Sequence, residues 1–308
     1  MTGEQLEITH GPARAVIRTA GAGLRAFEVA GVPYLETYGD EPGDEPPMGA
    51  GAVLVPWPNR VAGATWTRDG GTHHLEVTEA VRGNAIHGLV RHAEWTVTAR
   101  EESAVTLQVT VDEAPGWPFP FRTSISYALN RGGLEITHLV ENRGERDMPF
   151  GVGTHPYPRP GNTDVDDCVL TLAARTVLPV DLDTMIPNGE PIDVAGTDYD
   201  FSTGRALREV DLDTAFGGCK PGDDGLVRHS VTHQGSGVEV WAEPAFGWVQ
   251  VFTPSEFPGK GARAVAIEPM TCPPDALNSG VDLMWLSADE SWTGRWGIRP
   301  LEAWVDQS

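Results

Sequence analysis

The sequence predicts an all-β protein, a large antiparallel β-sandwich forming one domain over residues 1–308. Three observations carry that expectation. Segments with apolar and polar residues in period-two alternation recur along the chain. The 36 Gly and 25 Pro punctuate them as turns. Almost no stretch shows the i, i+3, i+4, i+7 apolar spacing of a capped helix. Many short strands divided by turns bury their apolar faces by packing sheet on sheet.

In chain order, strands are read over 14–19, 24–29 and 94–100. The segment 104–111, AVTLQVTV, puts Val105, Leu107, Val109 and Val111 on one face, as a half-buried strand does. Further strands are read over 121–130, 134–142, 168–173, 237–243, 248–253 and 291–298. Two segments dense in Gly, Pro and Asp, 38–51 and 154–167, read as loops. Neither has the length or bias of an interdomain linker. No fixed-period repeat or low-complexity tract interrupts the chain.

Composition narrows the function classes. A chain with 44 acids against 22 bases, formal charge -22, repels nucleic acid and anionic membrane over most of its surface. Cys168, Cys219 and Cys272 are an odd set without a CxxC pairing, which suits reduced thiols in a cytoplasm. The opening residues, MTGEQLEITHGPARAV, lack the basic and apolar regions of an export signal, and no apolar run reaches membrane-spanning length. A soluble, cytoplasmic protein is expected.

Five stretches carry candidate chemistry. In AVAIEPMTCPPDALN, 264–278, Glu268 ends an apolar run before a proline, which favours an extended backbone where a strand leaves its sheet. Alternation sets Val265 and Ile267 on one face and Ala264, Ala266 and Glu268 on the other, so small neighbours leave room beside the carboxylate. In VPWPNRV, 55–61, prolines pin the backbone around Asn59 and Arg60, whose amide and guanidinium suit a polyhydroxylated ligand. His87 in GNAIHGL and His155 in GVGTHPY are flanked by glycines, which let a backbone approach a ligand, and histidine suits proton transfer near neutrality. Asp213 precedes an aromatic in VDLDTAF, which otherwise reads as a solvated loop. Gln250 shares a strand face with Trp248 and Phe252, an amide between aromatics. His73 and His74 are adjacent on a strand and point oppositely, and no metal-ligand spacing appears, so no metal is expected. No glycine-rich phosphate cradle opens a helix, so nucleotide binding is unsupported.

Together these stretches resemble the aldose 1-epimerase family, the galactose mutarotases. The resemblance rests on PWPNR at 56–60, NAIHG at 84–88, GTHPY at 153–157, LDTAF at 212–216, VQVFT at 249–253 and AIEPMTCPPDALN at 266–278, in the family's order and over most of the chain. It implies a supersandwich of the galactose mutarotase-like kind, no cofactor, and interconversion of the α and β anomers of a free aldose. It further implies Glu268 as general base, His155 as general acid with His87 beside it at the ring oxygen, and Asn59, Arg60, Asp213 and Gln250 as holders of sugar hydroxyls. A glutamate ionised at neutral pH takes the anomeric proton, and a histidinium protonates the ring oxygen if Asp213 and Glu268 keep its pKa from falling.

The chain departs from the pattern of neutral-hexose members after Tyr157. It continues Pro158-Arg159-Pro160-Gly161 where they have Phe-Asn-Leu, which makes Arg159 a candidate specificity residue at the mouth of the site. Two alternatives stay open: a non-catalytic carbohydrate-binding sandwich, and an epimerase for a phosphorylated or otherwise anionic hexose. The latter calls for clustered Arg and Lys, of which only Arg60 and Arg159 stand out. The expected partner is a small sugar, not nucleic acid or membrane, for a monomer or homodimer.

Overall fold

Nine antiparallel strands make the larger sheet of the computed structural model, which describes residues 3–39, 46–68 and 70–301. Their spatial order is Thr96–Arg100, Ala104–Val111, Phe121–Asn130, Gly133–Asn142, Ser291–Pro300, Ser236–Ala242, Val227–His233, Val169–Thr171 and Arg205–Ala206. A seven-stranded antiparallel sheet faces it, ordered Ile192–Asp193, Thr176–Val177, Asp213–Gly217, Trp248–Phe252, Ala266–Met270, Gly153–Thr154 and Val53–Leu54. Gln5–His10, Ala13–Arg18, Leu24–Val29 and Val32–Pro33 form a four-stranded sheet. One four-residue α-helix, Ala276–Ser279, occurs among the described residues, so the fold is the predicted all-β sandwich. Residues 40–45 of the predicted loop 38–51, Asp69, and the chain ends 1–2 and 302–308 counted in the single-domain reading lie outside the described residues.

Alternation decides which face does what. Val105, Leu107, Ile125, Ile136 and Val240 of the larger sheet join Val249, Val251 and Ile267 of the smaller in one buried apolar cluster. The other face of the smaller sheet therefore carries Trp248, Gln250, Phe252, Ala266, Glu268 and Met270. On it, Ala264 and Ala266 pack with Tyr38, Tyr157 and Phe257, while Trp248 and Met270 pack with Leu178 and Ala215. Two apolar patches thus flank Gln250 and Glu268.

The strand carrying Glu268 does not stop there. It runs on through Pro269 to Met270, in the interior of the sheet. Pro269 is tolerated because its missing donor falls on a weak ladder. The Ile267 and Thr271 amides on that side donate to the Pro156 and Val152 carbonyls at 3.2 and 2.9 Å, and the neighbouring strand offers one register pair, Gly153 with Met270. His73 and His74 do diverge: His73 stacks on Trp66 with ring centroids 4.8 Å apart, and His74 is exposed.

Candidate active site

The seven residues read from the sequence as catalytic or sugar-binding, Asn59, Arg60, His87, His155, Asp213, Gln250 and Glu268, line one cavity of about 350 Å³. That volume lies near the lower end for ligand pockets, ~300–1,000 Å³, and suits a monosaccharide.

The smaller sheet supplies its floor. Gln250 and Glu268 are register partners on adjacent strands, and Asp213 begins the next strand outward, opposite Phe252. Asp213 is therefore a strand residue, and not the loop residue its acidic surroundings suggest. Gln250 Nε2 donates to Asp213 Oδ1 at 2.6 Å, while Gln250 Oε1 and Glu268 Oε2 are buried with no partner among the described residues. Phe252 lines the cavity, but Trp248 does not. Its indole is 5% exposed, and Nε1 donates to Asp282 at 2.7 Å, so the expected pair of aromatics around Gln250 is a single one.

His155 follows the short strand Gly153–Thr154, with its amide donating to the Ala52 carbonyl at 3.2 Å and its carbonyl accepting from Gly51 at 2.9 Å. Its ring stacks on Tyr157 at 5.2 Å, whose hydroxyl donates to the Met48 carbonyl at 3.0 Å. His155 Nε2 thereby stands 3.3 Å from Glu268 Oε1. The His87 ring meets it edge-on, centroids 5.5 Å apart.

Asn59 and His87 both take left-handed backbone, φ 53° and 67°, which costs energy away from glycine and concentrates at functional sites. The two segments hold each other: Arg60 pairs in register with Ile86, and the His87 amide donates to the Asn59 carbonyl at 2.9 Å. Asn59 Oδ1 accepts from the Arg60 amide at 2.9 Å. The glycines beside the histidines serve this packing, not a ligand. A methyl on Gly88 would collide with the Val55 carbonyl, and one on Gly153 would meet Pro58 Cβ at 2.6 Å.

Arg60 is clamped by Glu79, Nε to Oε2 at 3.0 Å and Nη2 to Oε1 at 3.1 Å, and lies 3.4 Å from Asp213 Oδ2. Burial alone would raise Glu79, but Arg60, then Asn84 and Arg82, hold its carboxyl below the usual range.

Burial dominates the protonation of Glu268 and His155. It pushes Glu268 well above the usual carboxylate range, helped by the negative charge of Asp213 and opposed by Arg60. It pushes His155 down to about 3, and His87 well below the usual imidazole range. The sequence expectation that Asp213 and Glu268 would hold His155 up is thus not met: desolvation dominates, and the charge of Arg91 lowers the imidazole further. Glu268 and His155 form a pair in which one proton can sit on either side of a 3.3 Å contact.

Arg159 is not among the lining residues. Its guanidinium is engaged by buried Glu36 at 2.9 Å, the Gly161 carbonyl at 2.6 Å and Asn162 Oδ1 at 3.3 Å, and Glu36 also pairs with Lys260. The arginines that do line the cavity besides Arg60 are Arg82 and Arg91. Sequence reading passed over both. Each flanks the GNAIHG stretch, and that position was the one available signal.

An all-β sandwich with buried acid, base and amide groups in a monosaccharide-sized cavity is a galactose mutarotase-like architecture. The family model described as aldose 1-epimerase matches residues 4–299, and the chain belongs to that family. It is 31% identical over 288 residues, 93% of this chain and 90% of the relative, to the uncharacterized protein YihR of Escherichia coli (strain K12). It is 29% identical to the galactose mutarotase of Homo sapiens over 157 residues, 49% of this chain and 44% of that one. In structure it is similar to a galactose mutarotase-like protein from Clostridium acetobutylicum, with TM-score 0.83 and 20% identity over 96% of this chain and 94% of that one. Among the described residues no helix is long and apolar enough to cross a membrane, and no group of three or more His, Cys, Asp or Glu could hold a metal ion.

Proposed function

We propose that this protein is a mutarotase that interconverts the α and β anomers of a free aldose. The observation that carries the reading is the contact of 3.3 Å between Glu268 and His155 in a sugar-sized cavity. Ring opening moves one proton in net terms, from the anomeric hydroxyl to the ring oxygen. Glu268 as carboxylate takes the hydroxyl proton while His155 as imidazolium gives its proton to the ring oxygen. The bond from C1 to the ring oxygen breaks, C1 becomes an aldehyde and turns about C1–C2, and reclosure on the other face returns both protons.

Entering sugar hydroxyls donate to the free carboxylate oxygen and favour the carboxylate–imidazolium form of the pair over the neutral form that burial prefers. Asn59, Arg60, Asp213 and Gln250 hold the remaining hydroxyls, with Gln250 Oε1 free to accept one. His87 abuts His155 and limits the solvent that reaches it. Every step moves a proton, breaks or re-forms the C1–oxygen bond heterolytically, or turns a bond, so the chemistry calls for no electron acceptor.

Polarimetry or saturation-transfer NMR on freshly dissolved sugars, with chelator present, tests the reading. Equilibration faster than the spontaneous rate for at least one aldose is expected. Binding without acceleration across neutral and anionic hexoses would make the protein a carbohydrate-binding sandwich instead.

A further inference from the structure

Three guanidiniums, those of Arg60, Arg82 and Arg91, line the cavity of a protein that carries twice as many acids as bases. Two are accounted for. Arg60 is clamped by Glu79 and approaches Asp213, and Arg82 Nη1 pairs with Glu79 at 3.2 Å. One carboxylate therefore serves two arginines, and Arg82 Nε remains buried without a partner. Arg91 is half-buried, and among the described residues no hydrogen bond or ion pair holds its guanidinium. Burial lowers it from its ordinary value, against the pull of the Glu79 charge. A half-buried guanidinium facing a ligand cavity with no anion of its own is an electrostatic mismatch that a ligand anion would relieve.

The chemistry of the ring says where that anion would sit. The ring oxygen is bonded to C1 and to C5. Glu268 addresses C1 through its hydroxyl, and His155 addresses the ring oxygen, so the substituent on C5 projects past the histidine side. The charge of Arg91 acts on that side, since it opposes protonation of both His87 and His155.

Resting on the mutarotase reading, we propose that Arg91, assisted by Arg82, recognises an anionic group on C6, and that the substrate is an aldohexose carrying a carboxylate, sulfonate or phosphate there. Arginine suits the task because its planar fork donates two parallel hydrogen bonds to such oxygens. Arg159, bound to Glu36, plays no part in it.

The test compares kcat/KM of the wild-type protein on a neutral hexose, the matching hexuronate, a 6-sulfonated hexose and a hexose 6-phosphate. At least one anionic sugar is expected to exceed the neutral one by about 10-fold or more, and its advantage to shrink as salt rises from low to high concentration. Arg91→Met should lower the ratio of anionic to neutral kcat/KM by about 10- to 100-fold, mainly through KM, as loss of charge-assisted hydrogen bonds does. Arg82→Gln should lower the same ratio by less. Neutral sugars turned over as well as or better than all three anionic ones would overturn the C6-anion site and leave the mutarotase reading standing. Equal losses on both sugar classes in Arg91→Met would also overturn it. No acceleration of any sugar would end both. If Arg91→Met does not fold, the wild-type panel and its salt series decide alone.

Discussion

Gln250 stands directly opposite Glu268 across neighbouring strands, yet its amide donates to Asp213 at 2.6 Å and not to Glu268. The glutamate is left with one oxygen near His155 and the other unpaired. The general-base role proposed for Glu268 needs a free lone pair, and the amide's preference for Asp213 preserves one. The same arrangement keeps Asp213 close enough for its charge to raise Glu268.

Glu268→Gln keeps the shape and much of the hydrogen bonding but cannot accept a proton. It should lower kcat by about 10² to 10⁴ with little change in KM, the range for one general base. His155→Asn should lose a similar amount. Because the two share one proton, the double variant should be far less impaired than the product of the single losses. Near-normal kcat in Glu268→Gln would remove the base assignment, and a loss confined to KM would make Glu268 a binding residue.

The pH profile follows from the same pair. In the proposed mechanism the productive form carries one proton between Glu268 and His155, so activity should fall when a second proton binds and when the last one leaves. Burial lowers His155 and raises Glu268, so the limbs move apart. The kcat/KM profile, corrected for spontaneous mutarotation, should be a broad bell. Its acid limb should lie well below the usual imidazole range and its alkaline limb above the usual carboxylate range, both belonging to the pair. A single limb near pH 6.5 would mean that His155 titrates as an exposed histidine and that the burial argument is mistaken.

Gly49 tests how far the position of His155 matters. Its φ is +75°, and a Cβ there would meet His155 Cδ2 at 2.8 Å and Nε2 at 3.1 Å. Gly49→Ala should cost about 1 kcal/mol of stability through the left-handed backbone and displace the imidazole. Small misplacements of reacting groups can cost about 10² in rate. We expect kcat to fall more than the stability loss alone would produce, read by rate assays beside urea denaturation. An unchanged kcat would show that the ring moves without consequence.

Much of this was legible in the sequence because alternation is a local signal. The face that carries Ala264, Ala266 and Glu268 was readable from parity alone, and the strands Leu24–Val29, Ala104–Val111 and Phe121–Asn130 fall on the predicted residues. Val227–His233 escaped because its inward positions are Val227, His229 and Val231, and a histidine in the core breaks the apolar pattern. Gln5–His10 escaped because only Leu6 and Ile8 mark its buried face. Glycines near the histidines suggested ligand approach, but sequence cannot say which backbone a glycine lies against. Nor can it say which arginines are already paired, which is why Arg159 stood out and Arg91 did not.

Arg159 now carries a different expectation from the one its place in the chain suggests. It bonds buried Glu36, which keeps Lys260 as a second partner. Arg159→Met should therefore cost about 1 to 3 kcal/mol, the range for removing a charged hydrogen-bond partner from a buried group. The ratio of kcat/KM between anionic and neutral sugars should not change. Urea denaturation and the sugar panel read the two effects separately, and a selective rise in KM for anionic sugars would return Arg159 to the specificity role.

Acid should unfold the protein through histidines far from the cavity. His138 and His229 are buried in the larger sheet, and burial pushes each down to about 3. His138 Nε2 accepts from Trp296 Nε1 at 3.0 Å, a bond that requires an unprotonated nitrogen. The unfolded chain takes up protons at these residues below pH ~6.5, whereas the folded one resists until about 3. Stability is thus full above pH ~6.5 and falls as pH drops through that window, by on the order of 1 kcal/mol per pH unit for each histidine. His138→Gln can keep an acceptor for Trp296 but cannot bind a proton, so its stability should fall less steeply with acid than that of the wild type, by about one proton's worth. Urea titrations between pH 7 and 5 measure both slopes. Equal slopes would mean that His138 is protonated in the folded state and that its environment is wetter than its burial implies.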